Sequence, residues 1–134
     1  MPRAFVAVAV ALVCASGCEG DIRPIGPTPA GEGIVIYMHA DFSGPSQALN
    51  VDVVDLGKVE GSCSSGAEGE VPTWADCVSS VRVMPGWTAV LYHKAKFQGA
   101  SVKLSSDTPN LRDLPGPCKD TFNDCAVSIR ITRR

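Results

Sequence analysis

Cys63, Cys77, Cys118 and Cys125 are the side chains whose type and spacing point most directly to chemistry. Four thiols can close two disulfides or hold one tetrahedral zinc. No two of them stand in a C-x2-C pair, the usual grip on a structural zinc. Of the six cysteines, Cys14 and Cys18 are set aside with the N-terminal targeting segment described below; an even number in an exported chain favours disulfides, and the remaining four allow three connectivities. His39 and His93 are the only histidines. A catalytic His needs an orienting carboxylate and a nearby nucleophile, and no local pattern supplies them.

The elements that must position these cysteines repeat. Tyr37, Phe42 and Gly44 form Y-x4-F-x-G, and Tyr92, Phe97 and Gly99 form it again, 55 residues later. A second block follows each copy: W-A-D-C-V-S-S-V-R-V from Trp74, and F-N-D-C-A-V-S-I-R-I from Phe122, 48 residues later. The first copy therefore holds seven extra residues, assigned to the Gly/Ser-rich stretch 61–71. Cys77 and Cys125 are equivalent under the 48-residue shift. Cys63 precedes Cys77 by fourteen and Cys118 precedes Cys125 by seven, which is the same insertion. The repeat thus selects Cys63–Cys77 and Cys118–Cys125, each bridge stabilising by roughly 2–3 kcal/mol if unstrained.

The N-terminus reads as a targeting segment. Arg3 precedes an apolar run, residues 4–15, too short to cross a bilayer but suited to a secretory signal. The small residues Ala15-Ser16-Gly17 then lead to Cys18. This stretch resembles a bacterial lipoprotein signal, which implies removal of 1–17 and acylation of Cys18. It departs from that pattern at Ala15, where Leu is usual. Plain cleavage at the same residues, giving a secreted or periplasmic chain, is the alternative. Residues 18–32 are rich in Pro and Gly and suit a tether holding a domain, 33–134, off the membrane. Loss of Arg3 with the signal leaves 11 basic against 14 acidic residues, a net charge near −3. Without a basic run, nucleic-acid binding has no support.

Short runs rich in β-branched or aromatic residues recur between turn signals: 34–38, 49–54, 78–83, 88–92, 101–104 and 126–131. Val81 and Val83 alternate with Ser80 and Arg82, and Ile129 and Ile131 with Ser128 and Arg130, the period of half-buried strands. No helical stripe extends over twelve residues. The expectation is an all-β sandwich of about eight strands, four per repeat.

The repeat resembles the βγ-crystallin Greek key over residues 33–132. The resemblance implies two keys, about 33–84 and 88–132. In that family the Y-x4-F-x-G element folds a hairpin over the sheet. Gly44 and Gly99 would take a backbone conformation closed to side chains. Ser80 and Ser128 would hydrogen-bond back to the folded hairpins. Trp74 and Phe122 would pack in the core.

Microbial members often bind calcium through N/D-N/D-x-x-S/T-S, and calcium takes such hard oxygen donors. The first copy here is Ala75-Asp76-Cys77-Val78-Ser79-Ser80, without the first acid or amide. The second is Asn123-Asp124-Cys125-Ala126-Val127-Ser128, without the fifth-position hydroxyl. In the family, the acid/amide pair of one copy works with the hydroxyl of the other. Asn123 and Asp124 would then join Ser79 in one competent site, and Asp76 would face Val127 in a degenerate one. Backbone carbonyls would come from Cys125 and from a corner loop near Met38 or His93. The same residues also suit plain turns, because Asn and Asp bond their own backbone. Disulfides ending beside these loops would take over part of calcium's stabilising role.

No Gly-rich phosphate loop is present. Lys94 and Lys96 read as a solvated strand edge. Trp87 reads as packing between the repeats. The function expected is an exported, lipid-anchored binding or structural module with at most one competent, weak calcium site, not an enzyme, with the membrane and a protein as expected partners. The alternative is a disulfide-stabilised proteinase inhibitor or toxin-like module of the same fold, acting through the 61–71 loop.

Overall fold

The computed structural model describes residues 22, 28, 30–63 and 69–134. The signal, Cys18, most of the tether and the centre of the 61–71 loop lie outside the described residues. Eight strands are present: β1 (Ile34–His39), β2 (Ser43–Leu49), β3 (Glu60–Cys63), β4 (Ser80–Val83), β5 (Trp87–Lys94), β6 (Gln98–Leu104), β7 (Pro115–Cys118) and β8 (Ser128–Arg133). One-turn 3-10 helices at Leu56–Lys58 and Leu111–Asp113 are the only helices among the described residues. The two halves have the same element order.

Two antiparallel sheets form, ordered β2-β1-β4 and β6-β5-β8. Their inner faces enclose Ile34, Ile36, Leu49, Val81, Ala89, Leu91 and Ile129, all shielded from solvent. Trp74 and Phe122 close the core from the loops and are 2% and 1% exposed. Each ring lies against a glycine: Gly61 faces Trp74, and Gly116 faces Phe122. A Cβ at either would press on the ring and on backbone of Thr73 or Thr121. These seats explain β3 and β7, which sequence reading misses because E-G-S-C and P-G-P-C carry no β-branched residues.

The expected strand at 49–54 is corrected. The chain leaves the sheet after Leu49, with Val51 and Val54 60% and 52% exposed. Only Val53 pairs, and it pairs across the sandwich: Val53 and Ile129 exchange both N–H···O bonds, 2.8 and 3.0 Å. Thr108 does the same with Val81, 2.8 and 3.0 Å. Carboxylates lengthen both ladders, Asp52 accepting from the Ile131 N–H at 2.7 Å and Asp107 from the Val83 N–H at 2.8 Å. Each half thus supplies the missing edge of the other's sheet.

The folded hairpins carry the Y-x4-F-x-G residues. Gly44 and Gly99 have φ +78° and +79°, and the residues before them are also left-handed: Asp41 and Phe42 at 58° and 55°, Lys96 and Phe97 at 59° and 58°. Non-glycine residues rarely hold this conformation without support. Support comes from a fully buried serine. Ser80 Oγ donates to the His39 carbonyl at 2.6 Å and accepts from the Phe42 N–H at 3.0 Å. Ser128 Oγ donates to the Lys94 carbonyl at 2.6 Å and accepts from the Phe97 N–H at 3.0 Å. Tyr37 meets Phe42, and Tyr92 meets Phe97, edge-on at 5.8 Å. Arg82 and Arg130 cover the Phe rings at 4.0 and 4.4 Å.

Ser128→Ala would strand a backbone donor and an acceptor, so we expect a loss of about 2–3 kcal/mol in urea unfolding. A loss under about 0.5 kcal/mol would mean that the hairpin stands without the hydroxyl. Gly116→Ala is expected to cost about 1–3 kcal/mol in the same assay, since the Thr121 backbone cannot yield as a flexible side chain would.

Candidate functional site

The loops before β4 and β8 hold the candidate donors, and they meet each other. The Asp76 N–H donates to the Ala126 carbonyl at 3.1 Å, and the Asp124 N–H to the Val78 carbonyl at 3.0 Å. Both Asp residues are left-handed, φ 54° and 53°, a conformation that Asp tolerates because its short side chain bonds locally. Each loop is tied to a corner: the Ser79 N–H donates to the Tyr37 carbonyl at 2.9 Å, and the Val127 N–H to the Tyr92 carbonyl at 2.8 Å. The 3-10 turns bind crosswise, Leu111 N–H to the Ser79 carbonyl at 3.0 Å and Leu56 N–H to the Val127 carbonyl at 2.6 Å. Asp55 and Asn110 cap those turns, accepting from Gly57 and Arg112 N–H groups.

Within this frame, Ser79 Oγ donates to Asp124 Oδ1 at 3.1 Å, across 45 residues of sequence. Asn123 Nδ2 donates to Asp124 Oδ2 at 2.9 Å. The three residues grouped from sequence therefore form one chain of bonds. They line a cleft of about 350 Å³ together with Met38, His39, Ala40 and Asp76. The corner loop beside Ser79 is thus the first one, containing Met38. Arg112 also lines the cleft. Sequence reading misses it, because its counterpart under the 55-residue shift is Gly57 and the repeat gives no signal.

Asp76 has a different setting. Its loop bonds to the one holding Val127, but Asp76 also lines the shared cleft. Partial burial raises its pKa above the ordinary carboxylate value; nearby His93 offsets this, and the Asp124 carboxylate adds to it. The hydroxyl that serves Asp124 has no equivalent here, because Val127 stands opposite.

Both bridges have the expected partners, Cys63–Cys77 and Cys118–Cys125, with Cα separations of 6.0 and 5.7 Å. Each ties β3 or β7 to the loop beside a donor Asp. His93 lies beside the second bridge. His39 is exposed at the end of β1, and Trp87 is half-buried with the Arg133 guanidinium 5.9 Å away. Val71 at the end of the 61–71 loop is half exposed.

No family model and no curated protein matches the chain. Solved structures do. A βγ-crystallin domain from Flavobacterium johnsoniae is 27% identical with TM-score 0.54, the match covering 75% of this chain and 94% of that one. A βγ-crystallin from Ciona intestinalis is 25% identical with TM-score 0.55, covering 75% and 99%. A structure bearing on the evolution of the eye lens βγ-crystallin domain fold gives TM-score 0.58 at 23% identity, covering 82% and 94%. The chain has the βγ-crystallin fold, an all-β sandwich of two Greek keys.

The raised pKa of Asp76 has a sign that can be tested. The folded state holds the proton more tightly than the unfolded chain, so stability falls as pH rises from the unfolded value, 3.8, through the folded one. Asp76→Asn keeps the left-handed preference and removes the charge. Its advantage in melting temperature over the parent should grow across that window and stay constant above it. A difference that is flat with pH would show that the carboxylate is fully solvated.

Proposed function

We propose that this domain is an exported, lipid-anchored binding or structural module with one competent calcium site, rather than an enzyme. The observation that carries the reading is the Ser79 Oγ–Asp124 Oδ1 contact of 3.1 Å, which joins oxygen donors from the two halves. The donor set suits a hard cation. Asn123 can offer its amide oxygen, Asp124 its carboxylate and Ser79 its hydroxyl, with Met38, His39 and Ala40 lining the same cleft. Asp76 supplies a second carboxylate at the rim. Bound calcium would replace the donors that Asp124 now uses and would link the two halves.

Few charges and a nearby Arg112 set the affinity low, with Kd of roughly 10⁻⁴–10⁻³ M, the range of extracellular modules. The disulfides already pin both loops, so calcium adds little further order. Acylated at Cys18, the chain would present this domain from a membrane on the Pro/Gly tether.

Calcium calorimetry on the oxidised chain is expected to give about one equivalent, weakened at least tenfold by Asn123→Ala and by Ser79→Ala. No heat in the parent, with a melting temperature indifferent to chelator, would overturn the site. In a bacterial host, Cys18→Ser is expected to move the protein from the membrane fraction to the soluble one. Unchanged fractionation would overturn the anchor.

A further inference from the structure

Around the second disulfide the donors are soft rather than hard. The ligand atoms of His93, Cys118 and Cys125 all lie within 4.8 Å of one another. His93 follows Tyr92 in the second corner, where the first corner has Met38. The first bridge therefore has a thioether in its cleft, with Met38, Cys63 and Cys77 lining it, whereas the second has an imidazole. Cys125 is buried and Cys118 half-buried. Cys118 opens on a cleft of about 490 Å³ lined also by two cations, Arg112 and Lys119, and one carboxylate, Asp124. Cations beside a thiol favour its thiolate, the form that exchanges with disulfides and binds metals.

We propose that reduction of the Cys118–Cys125 bridge turns this cluster into a zinc site with two thiolate ligands and one imidazole. A dithiol supplies two electrons and two protons and itself becomes a disulfide; the Cys118–Cys125 S–S bond breaks and leaves two thiols. Zn²⁺ then displaces both thiol protons and takes neutral His93 nitrogen, and water fills the fourth position. The geometry permits it. Zinc bonds of about 2.0–2.3 Å place tetrahedral ligand atoms roughly 3.3–3.8 Å apart. The sulfurs need only part by that much, and the two Cα atoms stand 5.7 Å apart. The turn after Cys118, with Lys119 and Asp120 both left-handed and exposed, is free of core packing and can follow the sulfur. Calcium, a hard cation, does not compete for these ligands.

The test uses the full chain, reduced anaerobically with a phosphine, which is oxidised to its oxide, and titrated with Co²⁺ as a coloured stand-in for zinc. The expected result is one Co²⁺ per chain with an intense thiolate charge-transfer band, absent from the oxidised chain. His93→Ala should weaken binding at least about tenfold, and Cys118→Ser should abolish the band. Met38→His should raise the count to two by giving the first bridge the same ligand set. The proposal is overturned if the band survives Cys118→Ser or is indifferent to His93→Ala. It is equally overturned if Met38→His leaves the count at one. Circular dichroism guards the fold: a reduced chain that loses its β signal and does not regain it with Zn²⁺ also overturns the proposal.

Discussion

A buried hydroxyl with two obligations holds this structure together. Ser80 and Ser128 each bridge a backbone carbonyl and an N–H of a folded hairpin. The hairpins contain two consecutive non-glycine residues in left-handed backbone, a conformation that costs of order 1 kcal/mol or more per residue. It persists because the alternative is worse: an unfolded hairpin would leave the serine buried without partners or would expose the sheet beneath it. The aromatic edge contact and the Arg over each Phe close the same unit from above. The period-two pattern of β4 and β8 is altered for this reason. Ser80 and Ser128 point away from the hydrophobic core yet are fully buried, because the hairpin covers them.

The second constraint is exchange between the halves. Val53 completes the second sheet and Thr108 the first, and the hairpin tips follow them. The Asp41 N–H donates to the Pro109 carbonyl at 2.7 Å and the Lys96 N–H to the Val54 carbonyl at 2.8 Å. Neither sheet is complete within its own half, so the halves should unfold together. The same exchange creates the candidate site. Donor loops that are distant in sequence lie side by side, and Ser79 reaches Asp124 only because the sheets are interleaved.

The cysteines give that arrangement a covalent backing, and small differences between the halves give it chemical character. Ala75 against Asn123, Ser79 against Val127 and Met38 against His93 occupy matching places in one scaffold. Three substitutions therefore separate an oxygen-lined cleft from one where an imidazole stands beside a disulfide. None of these residues forms a strand pairing that defines the sheets, although Ser79 is buried and Met38 and Ala75 pack against the core; what they change is the chemistry of the clefts.

Much was legible in the sequence because a repeat supplies its own comparison. The 55- and 48-residue shifts identify the hairpin glycines, the buried serines, the two core aromatics and the pairing of the cysteines without any structure. They also group Ser79 with Asn123 and Asp124 through the family resemblance, and the structure brings those three together. The strands β3 and β7 were illegible because their residues are chosen to accommodate a neighbouring ring, not to form strand. The 49–54 run misled because its valines look alike in sequence, while only Val53 pairs and Val51 and Val54 face water. Local patterning thus determined the strands β1, β4, β5 and β8, part of β6, the turns and the repeated contacts, and missed β2 except at Leu49. Which segment crosses to the other sheet, that Arg112 lines the cleft, and that His93 faces a disulfide were decided by tertiary structure, because each depends on residues that pattern and propensity leave unconnected.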